Sequence, residues 1–155
     1  MGKPLFMQHV SITLDDGTGE QSFECDVHAA TVEAEPGDVV TYVTLCPDGT
    51  YSQAAADTFV FHVIGAQRWS DGAAPATDGM GLARYLDDHA GTDLSELTCV
   101  YNAHGDAVPS PEFPAKRFTC IAQHPAYGGE RDTWAEFDVS MPITGNPETL
   151  TAAPV

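Results

Sequence analysis

Apolar and polar residues alternate along most of this chain, and recur at helical spacing in one place only. Val10-Ser11-Ile12-Thr13-Leu14 alternates cleanly and predicts a strand. Asp15-Asp16-Gly17-Thr18-Gly19 behind it predicts a turn. Ser22 to Val32 predicts a second strand, with Phe23, Cys25 and Val27 on one face and Glu24, Asp26 and His28 on the other. Glu35-Pro36-Gly37-Asp38 turns the chain. Val39 to Leu45 reads as a strand buried on both faces, ended by Cys46-Pro47-Asp48-Gly49. Thr50 to Asp57 is small and polar, shows neither period, and reads as an extended loop. Thr58 to Ala66 is the most apolar strand, with Trp69 just beyond it.

A Gly-, Ala- and Pro-rich connection follows, and then the helical stretch, about Met80 to Ala90. Leu82, Tyr85, Leu86 and His89 fall on one face at i, i+3, i+4 and i+7, with Arg84, Asp87 and Asp88 on the wet side. Asp78 is placed to cap its start and Gly91 to stop it. Leu97 to Ala103, Arg117 to Gln123 and Thr133 to Met141 predict three more strands, separated by a Pro-rich loop and by the turn Pro125-Ala126-Tyr127-Gly128-Gly129. In the last strand Trp134, Glu136, Asp138 and Ser140 oppose Ala135, Phe137, Val139 and Met141. After Pro142 prolines and small residues replace any period, which predicts an arm without structure of its own. The expected architecture is mainly β: a sandwich or open barrel of about seven strands with one flanking helix at about 80–90. Residues 1–142 form the β domain and residues 143–155 the C-terminal arm.

Charge narrows what such a domain can bind. The 155 residues carry 23 Asp and Glu against 6 Lys and Arg, a formal −17. Residues 1–70 contribute −8 and residues 71–155 contribute −9, so the field belongs to the whole fold. With no basic patch, direct binding to DNA or to an anionic membrane is not expected. Solubility, adaptation to a salty cytoplasm, and a surface that stays near nucleic acid without sticking all remain open. The opening residues lack a secretory apolar core, and Phe59 to Ala66 is too short to span a bilayer, so a soluble, cytosolically made protein is expected.

Patterns that carry catalysis do not occur. There is no Gly-x-Ser-x-Gly, Walker loop or His-Glu-x-x-His, and Gly79-Met80-Gly81 meets Arg84 where a dinucleotide fingerprint needs glycine. No enzyme activity, cofactor or metal is expected. Cys25, Cys46, Cys99 and Cys120 lack the close pairing of zinc ligands and read as buried free thiols, with a disulfide still open. The six histidines are scattered, although His104-Gly105-Asp106 and His124 could converge in space. Trp69 and Trp134 read as core or interface aromatics. Glu24, Asp26, Glu136 and Asp138 stand on the polar faces of two strands, either as an ordinary solvated face or as a shared acidic wall.

The run Gly81-Leu82-Ala83-Arg84-Tyr85-Leu86-Asp87-Asp88-His89-Ala90-Gly91, the strand Thr98-Cys99-Val100-Tyr101-Asn102, then Phe118-Thr119-Cys120-Ile121-Ala122 and the closing Trp134 to Pro147 resemble the major tail (tail tube) proteins of long-tailed, non-contractile bacteriophages. The order of elements is similar from about residue 20 to 147, most strongly over 80–147. The resemblance implies a virion structural protein. Six subunits would form a ring whose inner sheets join into one barrel, and rings would stack into a tube that conducts DNA during ejection. It implies copies of itself, a tape measure protein and a tail terminator as partners, with DNA passing through unbound and no membrane. On it Glu24, Asp26, Glu136 and Asp138 are expected to face the lumen. Tyr51, Ser52, Gln53, Phe6, Ile143 and Leu150 are expected at ring-to-ring contacts. Many members add a C-terminal immunoglobulin-like domain that these residues do not include, so an adhesion role is not expected. A tail terminator, a head–tail joining protein, or a sugar- or protein-binding β-sandwich are the alternatives.

Overall fold

The computed structural model describes residues 5–7, 9–23, 26–46, 48–70, 80–105 and 108–152. Among the described residues nine strands and one helix follow in the order β1 (Ser11–Asp15), β2 (Glu20–Ser22), β3 (Val27–Glu35), β4 (Val39–Val43), β5 (Thr50–Ala54), β6 (Thr58–Ala66), α1 (Leu82–His89), β7 (Glu96–Asn102), β8 (Ala115–Ile121) and β9 (Glu136–Leu150). Seven of them make one sheet in the order β2-β1-β7-β8-β9-β6-β3, every neighbouring pair antiparallel. Strands β4 and β5 pair only with each other, as a separate hairpin.

The sheet is curled, and side chains show how far. Strands β7 and β3 stand four positions apart, roughly 19 Å in a flat sheet. Yet the Tyr101 hydroxyl of β7 donates to the Ala30 carbonyl of β3 at 2.9 Å. The Phe61 ring of β6 likewise lies 4.9 Å from Phe118 of β8 and 5.6 Å from Tyr101. The strands therefore close into an open barrel. Its inside is the apolar half of the alternation: Ile12, Leu14, Leu97, Cys99, Phe61, Val63, Phe137, Val139 and Met141 are all buried.

The helix caps this core. Leu82, Ala83, Tyr85 and Leu86 are buried, while Asp87 and Asp88 face water. Gly91 at φ +74° ends it as its spacing predicted. The expected cap, Asp78, lies outside the described residues. At the first turn Gly81 offers no side chain, and a carboxylate from the β2–β3 connection takes the role. Asp26 accepts the Leu82 N–H at 3.0 Å and the Arg68 guanidinium at 2.8 and 3.2 Å. At the other end the His89 ring spans the Tyr85 carbonyl and the Asp16 carboxylate, both at 2.7 Å. The Thr18 hydroxyl, His89 and the Thr18 amide together hold the Asp16 carboxyl well below the usual carboxylate range.

Several expectations need correction. The strand expected from Ser22 to Val32 is not one run: β2 ends at Ser22, β3 begins at Val27, and Phe23 lies in the core 4.9 Å from Tyr85. Val39 to Leu45 is not buried on both faces: all of β4 is exposed, and Thr50–Ala54 is its partner strand rather than a loop. Residues 143–150 are no free arm. Strand β9 runs on past Pro142 and pairs with β8 as far as Ala115↔Leu150. The register slips between Arg117 and Thr119, and Gly145, at φ +75°, sits in that irregularity. Of the cysteines, Cys99 and Cys120 are buried and free, and burial pushes the Cys120 thiol up to about 12. Cys46 is exposed and free, contrary to the expectation of a buried thiol, and Cys25 lies outside the described residues.

Candidate assembly surfaces

The outer face of the barrel follows from the same alternation. Residues paired across antiparallel strands share a face. The register Thr31↔His62↔Ser140 and Glu33↔Val60↔Pro142 therefore carries the face of Asp138 on to β3. Glu136 and Asp138 stand on this solvent-facing side, as their spacing predicted, and Glu33, Glu35, Asp15 and Glu96 join them. Among the described residues the only Lys or Arg on it is Arg117, tied to Glu148 at 2.7 Å. His62 bonds the Asp138 carboxylate. Apolar Val60, Ile64, Val100 and Ile121 are interspersed and half-buried. Asp26 does not belong here: it is only 7% exposed and holds the helix. The alternation that places it outside assumes a strand running through Asp26, and β3 begins only at Val27. Glu24 lies outside the described residues.

The β4–β5 hairpin is the second surface. Its base is tight, with the Ala55 amide bonded to the Asp38 carbonyl at 2.8 Å. A Cβ at Gly37 would strike the Ala55 carbonyl, so glycine is needed there. Beyond the base both faces are uncharged and exposed. Val40, Tyr42, Tyr51 and Gln53 share one face; Val39, Thr41, Val43 and Ser52 share the other. An isolated two-stranded hairpin is marginal in water. Tyr51, Ser52 and Gln53 are thus exposed and together, although Ser52 points away from Tyr51 and bonds Thr41 at 3.2 Å. Val39, Val40, Tyr42, Val43 and Leu45 had no exposed role in the sequence pattern, since uncharged β-branched runs look alike whether a core or a partner covers them.

The barrel mouth beside Glu35 and Thr58 is the third. There Leu5, Met7, Ala30, Val32, Tyr101, Ala103, His104 and Lys116 line an apolar groove of about 440 Å³. Phe6 is 79% exposed beside it. Ile143 and Leu150, expected at contacts between rings, are 8% and 7% exposed and belong to the core. At the opposite end of the barrel Tyr127 and Trp134 are bare, on a loop fastened by Gln67, whose side chain bonds Gly128 at 2.8 and 2.9 Å and the Glu136 carbonyl at 2.7 Å. His104 and His124 do not converge. His104 packs on Phe113 beyond one end of β7, and His124 bonds Asp87 at 2.9 Å beyond the other. Among the described residues no three His, Cys, Asp or Glu side chains cluster as metal ligands do.

No family model and no curated protein matches the sequence. A chain in the solved structure described as the virion of a native gene transfer agent (GTA) particle is similar in fold. Its TM-score is 0.55 at 13% identity, and the match covers 90% of this chain and 94% of that chain. The likeness is one of fold: mainly β, with a single helix.

Proposed function

We propose that this chain is a virion structural protein, the subunit of a phage-type tail tube. The observation that carries the reading is the acidic outer face of the curled sheet. Glu33, Glu136 and Asp138 stand on it, with one Arg already neutralised by Glu148. A wall of one sign repels the phosphate backbone within about 10 Å at moderate salt, so DNA slides past without binding. The fold's likeness to a chain of a gene transfer agent virion supports the class.

What the fold leaves uncovered supports self-assembly. Strands β2 and β3 are the two sheet edges, and joining them between copies removes both. Six copies close a ring with Glu33, Glu35, Glu136 and Asp138 toward the lumen. Rings stack end to end, with Phe6 and the Tyr51 face of the hairpin at one end and Tyr127 and Trp134 at the other. A tape measure protein inside the tube and a terminator at its end complete the partners. Electron microscopy of the purified protein tests this. The expected result is tubes or stacked rings with a central hole. A protein that stays monomeric at high concentration contradicts it, and a single ring that never stacks points to a terminator or joining protein.

A further inference from the structure

The hairpin has two bare faces, and stacking accounts for one of them. We propose that its tip and its Val39–Val43 face seat in the barrel mouth of the adjacent copy in the same ring, with Asp48 set against Lys116 and His104. The inference rests on the tube reading and adds a receiving surface to it.

Charge selects the occupant. On a chain of formal net charge −17, any contact between copies must avoid acids. From Val39 to Ala56 the sole charged residue is Asp48. The mouth groove is the matching surface: its lining includes Lys116 and His104 and no acid. A protruding apolar hairpin with one acid at its tip thus meets an apolar hollow with basic groups at its rim. Leu45, fully exposed beside that tip, is the side chain the hollow would bury.

Topology says which copies meet. The hairpin leaves the barrel between Glu35 and Thr58, which pair with each other. The groove lies at that same end, among Val32, Tyr101 and Lys116. Two surfaces at one end of the subunit join copies lying side by side, not copies stacked end to end. The contact is heterologous, each copy giving a hairpin and receiving one, and such contacts close into a ring when the rotation between copies completes a full turn.

Cys46, exposed in the hairpin tip, allows a direct test with one substitution, Ala103→Cys, in the groove. Assembled particles are oxidised mildly, denatured, and run without reductant. The expected result is a covalent ladder that stops at six chains and disappears when Cys46→Ser is added. No ladder, in particles that microscopy shows as tubes, overturns the inference and leaves the tube reading standing. A ladder running far past six places the contact between rings and overturns it too. Absence of both ladder and particles sinks both. The charge contact is tested separately. Asp48→Lys or Lys116→Glu alone raises the protein concentration needed for assembly about tenfold, and the two together restore it; failure of the pair to restore assembly removes the Asp48–Lys116 contact.

Discussion

Asp26 is a buried carboxylate with three donors, two from Arg68 and one from the Leu82 amide. It sits where the positive end of the helix and a cation both favour negative charge. Removing it leaves the amide and the guanidinium short of an acceptor in a partly buried place. Asp26→Ala is therefore expected to lower stability by about 2–4 kcal/mol, read as a drop in the midpoint of urea unfolding. A change within about 0.5 kcal/mol, the usual effect of an exposed residue, contradicts its role as the helix anchor. Alternation puts Asp26 on the wet face because nothing in Phe23-Glu24-Cys25-Asp26 signals that β2 ends at Ser22 and β3 begins only at Val27. Asp16 gives a pH test at the same scale. Its carboxyl is held below the unfolded value of 3.8, chiefly by the Thr18 hydroxyl and His89. The folded-state value is the lower one, so the stabilisation is complete above the unfolded value and is lost as pH falls through the folded value. The stability difference between the native protein and Asp16→Asn should hold from neutral pH down to about 4 and shrink below it. A difference that is constant down to pH 2 removes Asp16 from the account.

Elements differ in how plainly the sequence announces them. Strands β1, β6, β7 and β8 and helix α1 carry their period openly, because their apolar side chains meet a core inside the same chain. The hairpin strand Val39–Val43 carries the same apolar run and was read as doubly buried. The structure leaves the strand exposed, and an uncharged apolar run looks the same in sequence whether it is buried or exposed. The opposite misreading affects β9. Pro142 and Pro147 and the loss of alternation suggested an arm, yet Ile143 and Leu150 are in the core and Lys116, Arg117 and Ala115 pair with the strand's last residues. Truncation after Pro142 should therefore abolish folding, not merely assembly. The loss of two buried aliphatic side chains alone costs about 4–10 kcal/mol, comparable to the whole stability of a small domain. A truncated protein that keeps a cooperative thermal transition by circular dichroism would show that residues 143–150 are dispensable after all.

At the scale of the whole molecule the formal −17 is not placed at random. The hairpin and the mouth groove are nearly free of acids, and the open sheet face carries a row of them with one neutralised Arg. On the proposed reading, surfaces that meet copies of the same chain shed charge, and the surface that meets a polyanion keeps it. The sequence alone identified two of these acids, Glu136 and Asp138, through the clean alternation of β9. Glu33 and Glu35 were missed because only the β3–β6–β9 register shows that they share that face. The claim that matters most is the direction in which this face points in the assembly. A helical reconstruction of the purified particles measures it directly. The account predicts Glu33, Glu136 and Asp138 on the wall of the central channel and the helix α1 away from it. A reconstruction with that acidic face on the outer surface, and the channel lined by another part of the chain, would contradict it.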